Sequence, residues 1–480
     1  MSFEGWALSG AFRFREGERA TLEDRHRPSL EYLALSQGRL MELLESLRAG
    51  REGLFRAPVS SVLMAVDRVA RRLLDPGDEI RREAVDGVGA HGGLSGPMAR
   101  EIVERMARAW TRPSLEALLH AEFRSPEVLD GFRPSHSGGE VRAAGYPLSV
   151  HLGAGTVPGV GTTSLIRSLL VKSAVLLKPG RGDVTLSVLF GRALQEADPE
   201  LGQAVAVAYW PRAQGEETAA VMSGADLVVV YGSGETVRWV RDRIPVTAQL
   251  VAYRHRLGVG VVGREALGGG RDRGLPPTGG GRLAGARETA LAAARAVAIF
   301  DQRGCVSPHV FFLEQGGDLG PLEWAELLAR ALEGLEEDLP AGPLSNEDGV
   351  ALQQLRGKAE MDESLGRGRV FHGGADAPWT VLLEPDGGLE PSCLNRTVRV
   401  IPVEEVAAVL PLLESWGPYL QTVGVAGLGD RRLEVLEGLV KLGVSRVVEL
   451  EGIPWPPPWW HHDGTSPLLS LVRWTDVEGA

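Results

Sequence analysis

Through the middle of the chain, short apolar runs alternate with amphipathic stretches. Pro147–Leu152, Ala174–Lys178 (AVLLK), Ala204–Ala208 and Leu227–Tyr231 (LVVVY) are four such runs, and Thr247–Ala252 is a fifth. Between them, Gly159–Val171, Thr185–Glu196 and Glu235–Arg243 carry apolar residues at helical spacing. This strand–loop–helix order predicts a parallel sheet covered on both faces, with ligands at the carboxyl ends of its strands. A second series follows. Arg287–Phe300 and Pro321–Leu335 read as helices, as do Val403–Glu414 and Arg431–Lys441. Val310–Leu313, Trp379–Leu383, Val398–Ile401, Thr422–Ala426 and Val447–Glu449 read as strands. Before both series, residues 28–130 read as mostly helical. Leu30, Leu33, Leu35, Leu40, Leu43, Leu44 and Leu47 fall at helical spacing, and a second stretch runs from Pro97 to about Phe123.

Residues 264–286 are rich in Gly, Pro and Arg and read as a flexible domain junction. Near the end, IPWPPPWWHHDG excludes a regular helix until Pro467, and LLSLVRW reads as a terminal strand. The length of 480 residues suits roughly three domains' worth of chain.

With 51 basic and 63 acidic residues the net charge is −12, a poor balance for holding nucleic acid. Two cysteines, Cys305 and Cys393, speak against a disulfide scaffold or a cysteine zinc site. The first residues show no secretory h-region, and no window approaches about 18 uninterrupted apolar residues. The expectation is a cytoplasmic protein without a membrane span.

Four places have chemical potential. Cys305, in FDQRGCVSPH, follows a helix and a glycine, where a thiolate can meet substrate; Arg303 is a nearby cation. The turn GAGTVPGVG, with Gly155 and Thr156, joins a strand to a helix N-terminus and can serve a phosphate or an oxyanion, or be an ordinary turn. Lys178, followed by Gly180 and Arg181, sits at a strand's carboxyl end. Gly232 and Ser233 permit close backbone approach before a helix begins. Cys393 reads as a small buried hydrophobe. His461, His462 and Asp463 do not form a convincing metal set, because adjacent residues on an extended segment face opposite ways.

Together, HLGAGTVPGVGTTSLIRSLLVKSAVLLKPG, VVVYGSGETVRWV, FDQRGCVSPHVFFLE, NRTVRVIPV and the terminal WWHHDG…LVRWTDVE resemble the aldehyde dehydrogenase superfamily. They resemble more specifically the acyl-CoA reductases of the fatty-acid-reductase type found in bacterial bioluminescence. The resemblance runs from about Val141 to the end. It implies an α/β fold with two parallel-sheet domains, one for cofactor and one for catalysis, plus a small β extension that makes oligomers. The implied division is a helical N-terminal part over 1–133, a cofactor domain over 147–275 and a catalytic domain over 276–449. The extension would use 134–146 and 450–480.

By resemblance, Cys305 is the nucleophile and Thr156 an oxyanion donor, standing where relatives usually have asparagine. Gly155, Lys178, Gly180, Arg181, Gly232 and Ser233 would hold the cofactor. Oxidising members carry a water-activating glutamate in an ELGG motif. The matching QLVAYRHR offers Ala252 or Tyr253 instead, which favours thioester chemistry. The glutamate of the EIFGPV motif has no counterpart in CLNRTVRV, and Glu390 is too loosely aligned to take its place. The expectation is an NADPH-dependent acyl-CoA reductase that forms an aldehyde, works as a homo-oligomer and leaves room for an acyl-delivering partner enzyme. An acyl phosphate or carrier-protein substrate is the alternative, as is a non-catalytic scaffold.

Overall fold

A computed structural model describes residues 2–136, 138–268, 284–374 and 377–478. They divide into two compact units, one of residues 1–255 with 457–480 and one of 256–456.

In the first unit, five parallel strands and one antiparallel edge strand form a six-stranded sheet. Its order is Gln249–Arg254, Leu227–Gly232, Leu148–Leu152, Ala174–Lys178, Val205–Ala208 and Trp6–Ala7. The central runs are buried on both faces because helices cover both, as expected of crossover connections. The chain winds outward from Leu148–Leu152 in one direction, then returns to its other side at Leu227–Gly232. Loops leaving these two neighbours diverge, which opens a crevice at their carboxyl ends.

Five helices fill much of the N-terminal block, Gln37–Arg56, Val59–Leu74, Glu79–Gly92, Gly96–Ala109 and Arg112–Glu122. Leu30 and Leu33, expected in a helix, lie in the strand Leu30–Leu33 instead. The first helix starts only where Ser36 caps it by accepting from the Arg39 amide.

The second unit holds a seven-stranded sheet, in the order Arg369–Phe371, Thr380–Leu383, Thr397–Val403, Pro308–Glu314, Leu257–Val262, Leu420–Ala426, Arg446–Glu449. The first of these is antiparallel to its neighbour and the rest are parallel. The expected boundary at 275/276 lies outside the described residues. Leu257–Val262, placed by sequence in the cofactor domain, is a central strand of this second sheet, so the units part at 255/256. Leu450–Pro456, expected in the β extension, also falls in the second unit. Of the segment 264–286, Arg264–Leu267 is a 3₁₀ turn and a helix begins at Ala284. The expected helix Val403–Glu414 shrinks to Val409–Leu413 between 3₁₀ segments. Pro411 and Pro418 remove the amides a longer helix would need. The helix Asn346–Ser364 has no counterpart in the sequence reading. Its apolar residues do not form a stripe.

At the carboxyl end of the strand Pro308–Glu314, charges are paired internally. Fully buried Glu314 accepts from the Arg264 amide (2.8 Å) and pairs with Arg431, which also pairs with Glu265. A third, three-stranded sheet joins Arg133–Pro134, Glu140–Gly145 and Val472–Val477, with Glu140 opposite Val477. The terminal strand thus begins at Val472, after a 3₁₀ turn over Leu469–Leu471. Among the described residues no helix is long and apolar enough to cross a membrane.

Gly260 tests the packing of the second sheet. A Cβ there would lie 2.0 Å from the Phe311 ring on the adjacent strand. Gly260→Ala should lower stability to urea by about 1–3 kcal/mol, the cost of overpacking. Gly349→Ala, in the helix Asn346–Ser364 with open space beside it, should instead gain about 0.5–1 kcal/mol. Equal responses would disprove the close strand contact.

Candidate active site

In the first unit a cavity of about 690 Å³ opens at the carboxyl ends of the central strands. Leu152, Lys178 and Tyr231 reach it from strand ends, Tyr209, Trp210 and Arg212 from the loop after Val205–Ala208. Glu235, Thr236 and Trp239 reach it from the helix Gly234–Arg241. Lys178 is the central cation. Its ammonium lies 5.3 Å from the Trp210 ring and 5.7 Å from the Tyr209 ring. Burial pushes it down to about 8, since rings compensate lost hydration less well than a carboxylate would.

Gly155, Gly180 and Arg181 line the same cavity. Two turns interlock there. A Cβ on Gly180 would fall 2.3 Å from the Gly155 nitrogen, so only glycine lets these backbones meet. Arg181 pairs with Asp24 at 3.5 Å and donates to the Pro28 carbonyl at 3.0 Å. Its Nε and Nη1 are buried without a hydrogen-bond acceptor among the described residues. The Gly-lined cradle, an ammonium set over rings and orphaned guanidinium hydrogens fit a phosphate-bearing dinucleotide.

The helix N-terminus after the Gly155 turn is not an anion site. Buried Asp183 already accepts from the Gly159 amide (2.7 Å) and the Gly161 amide (2.9 Å). Its carboxyl is pushed up to about 7 by burial, against the pull of these donors. Thr156 is exposed in this loop and does not line the cavity. Gly232 and Ser233 do not line it either. Ser233 caps the next helix, its hydroxyl accepting from the Thr236 amide at 3.2 Å.

Cys305 belongs to the second unit, in the loop just before the strand Pro308–Glu314 and hence at the opposite edge from Glu314. It is half-buried, and neither cysteine is in a disulfide. The backbone leading to it is unusual. Phe300, Asp301 and Gln302 all have left-handed φ values (59°, 49° and 63°), as do Leu394, Asn395 and Arg396 (64°, 53° and 54°). Such non-glycine residues cost about 1–3 kcal/mol each, and persist only where surroundings dictate them. Here the two turns hold each other. Arg396, fully buried, donates to Asp301 Oδ1 at 2.8 and 3.0 Å, and also pairs with Glu336. The Gln302 amide donates to the Thr397 carbonyl (2.7 Å) and accepts from the Thr397 amide (2.9 Å). Past the turn, Ser307 gives its carbonyl to the Gly258 amide at 3.2 Å. A Cβ on Gly258 would strike the Val306 carbonyl, so a bare backbone lets the loop pass.

Arg303 is engaged within its own turn. It pairs with Asp301 at 3.3 Å and donates to the Phe300 carbonyl. The cation coupled to Cys305 is Arg446, on the strand Arg446–Glu449. It donates to the carbonyls of Ile453 (2.8 Å) and Gly452 (2.5 Å). Burial lowers it to about 10, and the Cys305 side chain opposes that shift. Nothing local in the sequence marks Arg446, because the sheet alone brings its strand close. His309 is neutral and structural. Burial takes it down to about 4, and its Nδ1 accepts from the Ser392 amide at 3.0 Å.

Tyr253, one of the two residues the sequence offered in place of the carboxylate, stacks between Tyr231 (4.7 Å) and His462 (4.3 Å). Burial raises its phenol well above the ordinary value, so it stays neutral. His462 stacks on Trp460 as well. Glu390 pairs with Arg399 at 3.2 Å.

Comparison with known proteins adds a lineage to this geometry. A family model described as "Acyl-CoA reductase (LuxC)" matches residues 54–474. A long-chain acyl-protein thioester reductase of Aliivibrio fischeri is 26% identical over 391 residues, covering 80% of this chain and 75% of that one. A second such reductase, from Photobacterium leiognathi, is 22% identical over 383 residues, covering 77% and 71%. Among solved structures, aldehyde dehydrogenase 21 of Physcomitrella patens superposes with a TM-score of 0.75 at 14% identity, covering 99% and 98%.

The paired turns should be measurable. Arg396→Met takes from buried Asp301 the cation that donates to it twice, leaving only Arg303 as a cation partner, and should cost about 3–5 kcal/mol in urea unfolding. Removing both charges, in Arg396→Met with Asp301→Leu, should restore a good part of it. A single variant as stable as wild type would show that this ion pair does not hold the turn.

Proposed function

The chain belongs to the acyl-CoA reductase (LuxC) family, and from that premise we propose that it reduces an acyl thioester to an aldehyde through a covalent acyl-enzyme on Cys305, using NADPH. The observation that carries this reading is the presentation of a half-buried thiol on a loop fixed by two left-handed turns, with Arg446 as its electrostatic partner. A nearby cation favours the thiolate, which is the nucleophile.

In the proposed sequence the Cys305 sulfur attacks the thioester carbonyl carbon. The backbone N–H of Cys305 steadies the oxyanion. The incoming carbon–sulfur bond forms, the old one breaks, and the departing thiolate takes a proton. A bound nicotinamide cofactor supplies the hydride. The Cys305 carbon–sulfur bond then breaks, releasing aldehyde and restoring the thiolate. Lys178, Gly155, Gly180 and Arg181 hold the cofactor in this reading, with Gly232 and Ser233 shaping the adjoining turn. Buried Tyr253 offers no carboxylate to activate water, which supports aldehyde rather than free acid as product.

The relatives' names favour one refinement over free acyl-CoA. They are called acyl-protein thioester reductases, so an acyl group on a protein thiol is a second candidate donor.

Mass spectrometry tests the nucleophile and the donor together. On mixing with long-chain acyl-CoA or with an acylated carrier protein, wild type and Cys393→Ala should gain one acyl group, and Cys305→Ala none. An adduct that survives Cys305→Ala overturns the assignment. The donor that acylates faster identifies the substrate.

Cofactor affinity should depend on pH through Lys178. Below about 8 the ammonium is protonated and attracts phosphate; above it the charge is lost. Fluorescence titration should therefore show NADPH binding weakening as pH rises beyond 8. Lys178→Arg should flatten that dependence, because a guanidinium stays charged. A Lys178→Met protein with unchanged affinity and pH profile would remove the lysine from the site.

A further inference from the structure

Two turns shape one wall of the first unit's cavity, and a buried side chain joins them. Residues 153–159 leave the strand Leu148–Leu152, and residues 179–183 leave its neighbour Ala174–Lys178. Gly155, Gly180 and Arg181 from these turns line the cavity. At one end the two backbones touch. A Cβ on Gly182 would lie 2.1 Å from the Gly155 carbonyl oxygen, and the Gly153 amide donates to the Lys178 carbonyl at 2.9 Å. At the other end the link is Asp183. Its Oδ1 accepts from the Gly159 amide at 2.7 Å and its Oδ2 from the Gly161 amide at 2.9 Å. Its own amide donates to the Gly180 carbonyl at 3.0 Å. A Cβ on Gly161 would lie 2.7 Å from Oδ2, so glycine leaves the carboxylate its place. Residues 155–159 are thus held at both ends by the same short turn.

Asp183 is fully buried, and among the described residues no cation pairs with it. Its partners are the two amides and the Ser187 hydroxyl, from the helix Val184–Ala197. Burial pushes its carboxyl up to about 7 against the pull of these donors. The elements packed around it bring few groups that titrate. The end of the helix Glu79–Gly92 lies against Gly182 and carries His91. The strand Leu148–Leu152 carries His151, bonded to Ser164 and Ser168 of the helix Val160–Leu170. Burial takes His91 down to about 4 and His151 to about 3, so both are neutral near pH 7. Met106, from the helix Gly96–Ala109, packs on Gly159 without charge. Lys178 ends the neighbouring strand and loses its proton near 8. Arg181 brings a guanidinium, a group that does not titrate near neutrality. Of this set, Asp183 is the group that changes charge close to pH 7.

We propose that Asp183 is a positioning residue for nucleotide binding: as a carboxylate it fastens residues 155–159 to residues 180–183, and so holds the Gly155, Gly180 and Arg181 wall of the cavity in the shape that receives the nucleotide. This rests on the reading of that cavity as the nucleotide site. The ionised form is the one this geometry needs, because each oxygen accepts from a different N–H. A proton on either oxygen places a donor beside an N–H and weakens that bond. Deprotonation and nucleotide binding therefore favour each other, and the linkage is reciprocal. Binding strengthens as pH rises through about 7. Folding carries the opposite sign. A carboxyl raised above its ordinary value contributes stability at low pH that is lost as pH rises to about 7, so a weaker nucleotide complex on the acid side is not a weaker fold at this residue.

The test is equilibrium fluorescence titration of the full chain with NADPH on either side of about pH 7, repeated with NADH, which has no phosphomonoester of its own to titrate. Wild type should bind both more tightly as pH rises through that value. Asp183→Asn keeps the size but sets an amide NH2 against a backbone N–H. It should weaken NADPH and NADH by the same factor, about tenfold, the scale of a hydrogen bond to a charged group, and remove the acid limb, with circular dichroism as for wild type. Ser187→Ala leaves the contacts between the two turns in place and removes a donor that lowers the Asp183 carboxyl, so it should move the limb to higher pH. A role in folding alone would change the urea midpoint and leave the limb where it is. If folded Asp183→Asn binds as wild type does, keeps the acid limb or loses NADPH alone, Asp183 does not position this wall, while the cavity assignment stands. If Asp183→Asn does not fold, Ser187→Ala decides, and an unmoved limb overturns the proposal. If neither nucleotide binds wild type at any pH, the cavity reading itself has failed.

Discussion

The position of Cys305 depends on a backbone that the chain would not adopt alone. Three consecutive non-glycine residues in the left-handed region, twice over, carry a cost on the order of several kcal/mol. Each turn is stable only because the other satisfies it. Arg396 and Asp301 are taken out of water together, and Gln302 reads both the N–H and the carbonyl of Thr397 as a strand would. A buried ion pair adds little net stability, but it makes every other arrangement of these turns expensive. The gain is definition rather than energy. The thiol is delivered at one fixed height above the sheet's amino edge.

The opposite edge of the same sheet shows why that edge was available. Parallel sheets commonly bind ligands where their strands end. Here the end of the strand Pro308–Glu314 is taken up by the pairing of Glu314 with Arg431 and the Arg264 amide. The first unit follows the ordinary rule instead. Its cavity lies at the carboxyl ends, and its main helix N-terminus is filled from within by Asp183. The site's cations therefore come from side chains, Lys178 and Arg181, rather than from a helix dipole.

Much of this was legible in sequence, and the reasons are specific. Runs such as AVLL (174–177) and LVVVY are apolar at every position, a pattern that short buried strands produce. Gly155, Lys178, Gly180 and Arg181 were legible as a group because glycines and cations at a strand end have few other uses. Leu257–Val262 was missed because its glycines dilute the apolar signal, although those same glycines let Phe311 and the Cys305 loop pass. The strand Leu30–Leu33 read as helix because leucines three apart fit either period over so short a stretch. Arg396, Gln302 and Arg446 were invisible. Their partners lie far away in the chain, and no local pattern records a contact that only the sheet creates. Thr156 and Ser233 show the converse. A motif placed them near the site, and the fold put one in solvent and made the other a helix cap.

Tyr253 brings these strands of argument together. A carboxylate at the end of the strand Gln249–Arg254 would need water or a cation beside it to stay ionised. The stack of Tyr231, Tyr253, His462 and Trp460 instead supplies flat, weakly polar surfaces. A glutamate introduced there would be buried against rings, and desolvation would push it toward its neutral form, useless for activating water. The stack as a whole, and not Tyr253 alone, therefore disfavours a charged carboxylate at this strand end. A charged group here would require changing the stack along with Tyr253.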